Sequence, residues 1–217
     1  MGDFSSFARE AREALGKKLC AAFLTNGYKS AVYAPFAADA AKLALDMIPE
    51  GASVGIPGTV TVRQLGLVEK LEAKKCAVYQ HWDPNLAAGD RAGRLKEENS
   101  ADWFVTSSNA ITYDGKMVNI DGTGNRVAAM SWGTGSVLYV VSVNKAMPDL
   151  AGALARARDI STPANALRIG SQTPCTKIGH CVDCKSPDRM CRAVLILERP
   201  TFGRDTHVII VGEDLGY

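Results

Sequence analysis

The sequence predicts an α/β domain built on a mainly parallel sheet flanked by helices. Short apolar segments with strand character alternate with helical segments along most of the 217-residue chain. Such alternation is typical of β-α-β units, in which parallel strands are joined by crossover helices. A hydrophobic fraction of 47% is enough for one core. We therefore expect a single domain over residues 1–217.

The first half of the chain supplies four strands and four helices by this pattern. Asp3 is a suitable N-cap for the first helix, and Asn26-Gly27 ends it. Apolar residues at helical or strand spacing place the other elements. Helices are predicted at Phe4–Leu24, Ala37–Met47, Val60–Lys75 and Asp83–Ser100, and strands at Ser30–Ala34, Ala52–Ile56, Cys76–Gln80 and Asp102–Ser107.

The second half begins with a hairpin across Asp114-Gly115 and continues with helices around the most apolar strand, Val137–Val143. The predicted helices are Asn125–Trp132 and Pro148–Asp159. Two more strands close the chain, Ala193–Glu198 and His207–Val211, and no helix separates them. We therefore expect these last two to form an antiparallel pair at the edge of the sheet.

Charge and composition exclude some classes of function. The net charge is +2, from 25 basic and 23 acidic residues, and aromatic residues make up 7%. Neither value suits a nucleic-acid-binding protein. No apolar run has the roughly eighteen residues that a membrane span needs, and the first nine residues lack a signal-peptide pattern. We expect a cytoplasmic protein, in which thiols stay reduced.

Four cysteines lie close together between residues 174 and 192, in the spacing C-x5-C-x2-C-x6-C. A short Cys-x2-Cys turn directs two sulfurs to one side, and two further thiolates complete a set of four ligands. The spacing differs from the paired knuckles of a zinc ribbon, so a four-iron cluster is favoured over zinc. Two disulfides or four free thiols are the alternatives. The predicted metal ligands are Cys175, Cys181, Cys184 and Cys191.

The neighbours of these cysteines refine the prediction. Basic residues outnumber acidic ones in the loop, which is expected to lower the thiol pKa values and to offset the charge of a four-thiolate site. Gly179 permits a tight turn, and His180 is a possible substitute ligand. Cys20 and Cys76 lie on a predicted helix and strand, and we expect both to be buried as small apolar residues.

A glycine-rich turn between a strand and a helix is a candidate anion site. Backbone N–H groups at a helix start attract anions, and hydroxyl groups add donors. Ligands of open α/β sheets bind beyond the carboxyl ends of the strands. The alternative is a turn that simply requires glycine. The residues concerned are Gly58, Thr59 and Thr61.

A second glycine-rich turn carries more polar side chains than a helix cap requires. It contains Asp121, a candidate acid or base, followed by Gly122, Thr123, Gly124, Asn125 and Arg126. A simple capping role for Asn125 is the alternative. Asn109 and Lys145 also follow predicted strands. In a parallel sheet these groups converge on one rim, which predicts a site for a small anionic metabolite with Lys145 and Asp121 as catalytic candidates.

Three stretches of the chain together resemble the LUD-domain family of lactate-utilization proteins. They are Ser53–Gly66, Asn119–Ala128 and Val141–Leu150. The cysteine segment resembles the ending of a short subgroup of that family. The resemblance implies a fold similar to the group of ribose-5-phosphate isomerase and CoA-transferase. It also implies a link to lactate oxidation, in which relatives act with iron–sulfur partner proteins.

Two hypotheses of function follow. In the first, the protein is an accessory or electron-transfer component of organic-acid utilization that carries a metal or iron–sulfur centre and meets iron–sulfur redox partners. In the second, it is an enzyme or sensor that binds a phosphorylated or CoA-linked small molecule. The cysteine loop would then have a purely structural part, as a zinc site or a pair of disulfides.

Overall fold

The computed structural model describes residues 4–217, so the predicted cap Asp3 lies outside the described residues. Ten strands form two sheets. The strands are β1 Ser30–Ala34, β2 Ser53–Gly55, β3 Ala77–Tyr79, β4 Trp103–Thr106, β5 Ala110–Thr112, β6 Met117–Asp121, β7 Ser136–Ser142, β8 Ala146–Met147, β9 Ala193–Leu197 and β10 Thr206–Val211.

Nine α-helices accompany the strands over the described residues. They are α1 Phe4–Thr25, α2 Ala37–Met47, α3 Val60–Gln64, α4 Leu67–Ala73, α5 Arg91–Ser100, α6 Asn125–Ser131, α7 Leu150–Arg156, α8 Thr162–Arg168 and α9 Cys175–Ile178. None of those helices in residues 4–217 combines the length and apolarity of a membrane crossing.

The larger sheet has six strands in the order β1-β10-β7-β4-β2-β3, and all five neighbouring pairs are parallel. The smaller sheet is mixed, in the order β8-β5-β6-β9. Helices cover both faces of the larger sheet. The predicted α/β class with a mainly parallel, helix-flanked sheet is therefore confirmed.

The last two strands do not form the antiparallel pair that the sequence suggested. Strand β9 pairs antiparallel with β6 in the smaller sheet. Strand β10 instead lies inside the larger sheet, parallel to both β1 and β7. The continuous apolar run Val208–Val211 is buried throughout, which suits a central strand covered on both faces better than an edge hairpin.

Alternate side chains of the central strands pack into two separate hydrophobic cores, one on each face of the larger sheet. Leu138 and Val140 of β7 pack with α2 and α4 on one face. Val137 and Tyr139 pack with Leu19 and the rest of α1 on the other face. This division follows from the two-residue period of a strand. It leaves the ends of the strands, rather than their faces, available for binding.

Three helices differ from their predicted bounds by more than one residue. The segment predicted as one helix at 60–75 is divided into α3 and α4 at Gly66, whose φ of +60° is left-handed. The polar helix begins at Arg91 rather than Asp83. The helix predicted to end at Asp159 runs through a π-helical turn, Ala157–Ser161, into α8. That turn contacts β6 of the smaller sheet.

Gly55, the last residue of β2, is packed against helix α5. A Cβ atom at this position would lie 2.0 Å from the carbonyl oxygen of Glu98. We predict that Gly55→Ala lowers the free energy of unfolding by about 1–3 kcal/mol or more, because backbone must move to admit the methyl group. Urea unfolding measures this change.

Gly93→Ala is the matched control for that substitution. A Cβ at Gly93, within α5, meets nothing within 4 Å. Alanine there is expected to stabilise the protein by up to about 1 kcal/mol through helix propensity. Equal effects of the two substitutions would contradict the packing described for β2 and α5.

Candidate functional site

A cleft with a cavity of about 220 Å³ opens at one edge of the parallel sheet. Its walls come from the residues that follow β2, β3, β4, β7 and β10, because parallel strands place their carboxyl ends together. The end of β6 and the helix α8 close the remaining sides. We refer to this cleft as the strand-end pocket.

The strand-end pocket contains nearly every residue that the sequence predicted for a small-molecule site. The predicted residues that line it are Gly58, Thr59, Thr61, Asn109, Asp121, Gly122, Thr123, Asn125, Arg126 and Lys145. Gly124 does not line it. That glycine precedes α6 with a left-handed φ of +89° and shapes the turn.

Lys145 is the central group of the pocket. Its side chain is buried, with 3% of the residue exposed. The Nζ atom donates hydrogen bonds to Thr61 Oγ1 at 2.8 Å, to Ser107 Oγ at 3.2 Å and to the Ser108 carbonyl oxygen at 3.2 Å. All three acceptors are neutral. The structure therefore holds this amine in place by hydrogen bonds without a carboxylate to balance its charge.

Burial lowers the pKa of Lys145 to about 7, and the positive charges of Arg156 and Arg126 add to the effect. The C-terminal loop contributes to that burial, since a Cβ on Gly216 would lie 2.9 Å from Nζ. An amine of this kind attracts an anion when protonated and is a nucleophile or base when neutral.

Arg126 is a second cation at the pocket wall, with 15% of its side chain exposed. Its Nη2 atom donates to Asn109 Oδ1 at 2.9 Å and to the Ile120 carbonyl oxygen at 2.7 Å. The same Asn109 oxygen accepts the Ile120 amide at 2.9 Å. Asn109 thus joins the end of β4 to the turn after β6, and it fixes the guanidinium at the pocket wall.

Asp121 organises the glycine-rich turn. Its Oδ1 accepts the amides of Thr123 and Gly124, and its Oδ2 accepts those of Arg126 and Val127, at 3.1–3.2 Å. The Nε atom of the Arg126 side chain lies 4.0 Å from Oδ2. The carboxylate, rather than Asn125, therefore satisfies the first amides of α6. Asp121 remains a predicted acid or base, with both oxygens engaged by backbone.

The sequence reasoning missed a buried acid–imidazole pair at the pocket. His81, which follows β3, lines the cleft. Its Nδ1 atom lies 2.6 Å from Glu98 Oε1, and the Glu98 side chain is completely buried. A carboxylate at Nδ1 leaves Nε2 as the nitrogen available to a ligand. Seventeen residues separate the pair, so no local motif marks it.

An outer group of side chains also escaped prediction. The Arg168 guanidinium lies 4.7 Å from the Trp82 ring and donates to Tyr217 Oη at 2.8 Å. The indole Nε1 of Trp82 is buried with no hydrogen-bond partner in the described chain, and a Cβ on Gly58 would lie 2.2 Å from it. Gly58 is therefore required for the approach of this indole.

The charges of the described lining residues favour an anion. Four of them are cationic and one is a carboxylate, and the cations come from different elements. Asp121 offsets one of these positive charges, and its Oδ2 lies 4.0 Å from Arg126 Nε. A small anion entering the cleft would still meet a net positive field. The four cations are Arg91, Arg126, Lys145 and Arg168.

The four loop cysteines surround a second, smaller cavity of about 20 Å³, which we call the cysteine cavity. All six cysteines of the chain are free thiols, and Cys20 and Cys76 are buried as expected. His180 is exposed and does not line the cavity. Among residues 4–217, no group of three or more His, Cys, Asp or Glu side chains converges on a position for a single metal ion.

The chemistry of the cysteine cavity suits an anionic thiolate centre. Arg158 and Arg189 line it, and the Nε atom of Arg158 is buried without a hydrogen-bond partner in the described chain. The expectation of lowered thiol pKa values is wrong for Cys191, because burial raises its pKa and outweighs the lowering by Thr162 and Arg189. The donor set of four sulfurs fits a bound metal centre.

Burial of Lys145 makes stability depend on pH. The unfolded amine titrates near 10.5 and the folded one near 7, so the unfolded chain binds the extra proton between these values. Stability therefore rises with pH in that window, by up to about 1.4 kcal/mol per unit. We predict that Lys145→Met stabilises the protein at pH 7, and that urea unfolding shows this advantage shrinking toward pH 10.

Lys74→Met serves as the control. The Lys74 amine donates to the Ile48 carbonyl oxygen at 2.6 Å, outside the pocket. This variant measures the effect of replacing a lysine by methionine outside the pocket. A pH-independent difference between wild type and Lys145→Met would contradict the lowered pKa.

Comparison with known proteins places the fold. The LUD domain family model matches residues 18–211. The crystal structure of a DUF162 family protein from Deinococcus radiodurans is similar at a TM-score of 0.52 and 14% identity, over 92% of this chain and 98% of that one. Ribose 5 phosphate isomerase A from Neisseria gonorrhoeae gives a TM-score of 0.40 at 19% identity, over 82% and 94%. No curated protein matches. On the family match, the chain belongs to the LUD-domain family.

Proposed function

We propose that the protein binds a small organic anion, a carboxylate or a phosphorylated metabolite, in the strand-end pocket. The family name connects this activity to the use of lactate or a related organic acid, which the protein would serve in the cytoplasm. A CoA-linked ligand belongs to the same chemical class, because its phosphates would meet the same cationic wall.

The observation that carries the proposal is the unbalanced charge of Lys145. A buried amine costs free energy unless an anion pairs with it, and here the three acceptors are neutral oxygens. Arg126 raises that cost further. A ligand carboxylate or phosphate would supply the missing charge. Binding sites retain such unfavourable arrangements when the ligand relieves them.

Lys145 is favoured over Asp121 as the reactive group should the pocket also act on its ligand. The lysine has a pKa near neutrality, whereas the aspartate is engaged by four backbone amides. His81, held by Glu98, supplies a base at the same wall. These groups suit proton transfer at a hydroxy or keto acid.

Calorimetric titration with L-lactate, inorganic phosphate, ribose 5-phosphate and acetyl-CoA tests the proposal. We predict that at least one binds, and that Lys145→Met weakens it by at least about tenfold because a charge contact is lost. Affinity should also fall from pH 6 to pH 9, since the free amine loses its proton near pH 7.

Lys74→Met is again the matched control and should retain full affinity. If none of the four ligands binds, or if both lysine variants bind equally well, the strand-end pocket is not an anion site. A gain in affinity as the pH rises would also contradict the part assigned to the protonated Lys145.

A second candidate function concerns the cysteine loop. We propose that it carries a metal centre, with an iron–sulfur cluster favoured and zinc as the alternative. The specific observation is that four sulfurs line one cavity beside an Arg158 nitrogen that has no hydrogen-bond partner in the described chain. The spacing of the four cysteines differs from the paired knuckles of a zinc ribbon, which favours a cluster.

The protein would have a different role with each of the two metal centres. A bound iron–sulfur cluster would supply one-electron transfer and make the protein an accessory or electron-transfer component that meets iron–sulfur redox partners. Bound zinc would instead stabilise the 174–192 segment. The residues that would hold either centre are Cys175, Cys181, Cys184 and Cys191.

Metal analysis of anaerobically purified protein separates these possibilities. We predict stoichiometric iron and acid-labile sulfide with a visible absorption band, and loss of most of the metal in Cys184→Ser. Cys20→Ser, at a buried cysteine of α1, should keep its metal. One colourless zinc ion per chain would select the structural alternative. Absence of any metal from freshly prepared protein would end the proposal.

A further inference from the structure

The strand-end pocket and the cysteine cavity share a wall. Thr162 and Met190 line both. We infer that these are positioning residues through which a metal bound in the cysteine cavity sets the affinity of the strand-end pocket for an anion. This inference rests on the proposed anion binding and the proposed metal centre, and it adds to them a coupling between the two sites.

The first connection runs through the start of α8. The Cys191 Sγ atom lies 3.6 Å from Thr162 Oγ1, to which it donates, and that hydroxyl donates to the Ala157 carbonyl oxygen at 2.9 Å. Thr162 is the first residue of α8, and Asn165 and Arg168 on this helix line the pocket. A displacement of the Cys191 sulfur would therefore shift the start of α8, which forms one side of the pocket.

The π-helical turn before α8 contacts both cavities as well. Arg158 lines the cysteine cavity, and Asp159 Oδ1 accepts the Cys181 amide at 2.9 Å. Ser161, at the end of the same turn, lines the strand-end pocket. A π-turn is a local departure from α geometry and is frequent at functional sites. This one places Arg158 and Ser161 on opposite sides of the shared wall.

The second connection runs through Met190 and the glycine-rich turn. The Arg192 amide donates to the Asp121 carbonyl oxygen at 3.0 Å. A Cβ on Gly122 would lie 3.2 Å from the Met190 carbonyl oxygen, so the two backbones are in close contact. The cysteine segment therefore lies directly on the turn that carries Arg126.

Metal binding would draw the four sulfurs toward a common centre, because in the described chain they do not converge on one ion position. Both connections would then transmit the change, one to α8 and the other to the Asp121–Arg126 turn. Thermodynamic linkage makes the effect reciprocal: whatever factor the metal applies to anion affinity, the anion applies to metal affinity.

The test uses the full chain, reduced and anaerobic, with the cysteine cavity metal-free or filled with Zn²⁺. Inorganic phosphate is the probe, titrated by calorimetry. We predict that Zn²⁺ bound in the cysteine cavity changes the phosphate Kd by at least about fivefold. Saturating phosphate should change the Zn²⁺ affinity by the same factor. In Thr162→Val this factor should fall to within about twofold, and Thr162→Ser should restore it.

Thr176→Val is the matched control. Its hydroxyl donates to the Thr173 carbonyl oxygen at 2.7 Å within the same segment, and it lines neither cavity, so the full factor should persist. The inference is overturned if the phosphate Kd is the same with and without Zn²⁺. It is also overturned if Thr162→Val leaves the ratio of these Kd values unchanged, or if the protein does not take up Zn²⁺. Phosphate that binds in neither state also overturns this inference, whereas the anion site itself fails only if L-lactate, ribose 5-phosphate and acetyl-CoA do not bind either.

Discussion

Parallel pairing in the six-stranded sheet is the constraint on which the binding site depends. Because neighbouring strands run the same way, the residues after β2, β3, β4, β7 and β10 meet at one edge although they lie far apart in the chain. Their backbone groups need no pairing within the sheet, and their side chains are free to face a ligand. The smaller sheet contributes by closing this edge with the turn after β6.

The pocket concentrates positive charge in a way that the fold alone does not require. Lys145 and Arg126 in the pocket, and Arg156 behind Lys145, are oriented by carbonyl, hydroxyl and amide oxygens, and of the three only Arg126 has a carboxylate, Asp121, within 4.0 Å. Mutual repulsion and loss of hydration act against folding, and hydrogen bonds recover part of that cost. The protein thus retains a local electrostatic strain at the place where its strands converge.

Much of this arrangement was predictable from the sequence, because it depends on local patterns. Alternation of strands and helices predicted the sheet, and polar residues after the strands predicted the rim that Thr61, Asn109 and Lys145 share. Long-range choices were not predictable. Nothing near residue 207 shows that β10 enters the middle of the sheet, and His81 meets Glu98 only because β3 and α5 pack together. The position of the cysteine loop beside the pocket likewise depends on the pairing of β9 with β6.

The central place of β10 also bears on how the chain acquires its structure. Strand β1 pairs only with β10 in the larger sheet, and β10 joins it to β7. During synthesis, β1 has to wait for residues 206–211, about 175 positions later, before it gains a neighbour. Such a distant pairing implies slow, late completion of the sheet and a prolonged interval in which the apolar edge of β7 is open to other chains. A chain of this design is expected to depend on chaperones more than its modest size suggests.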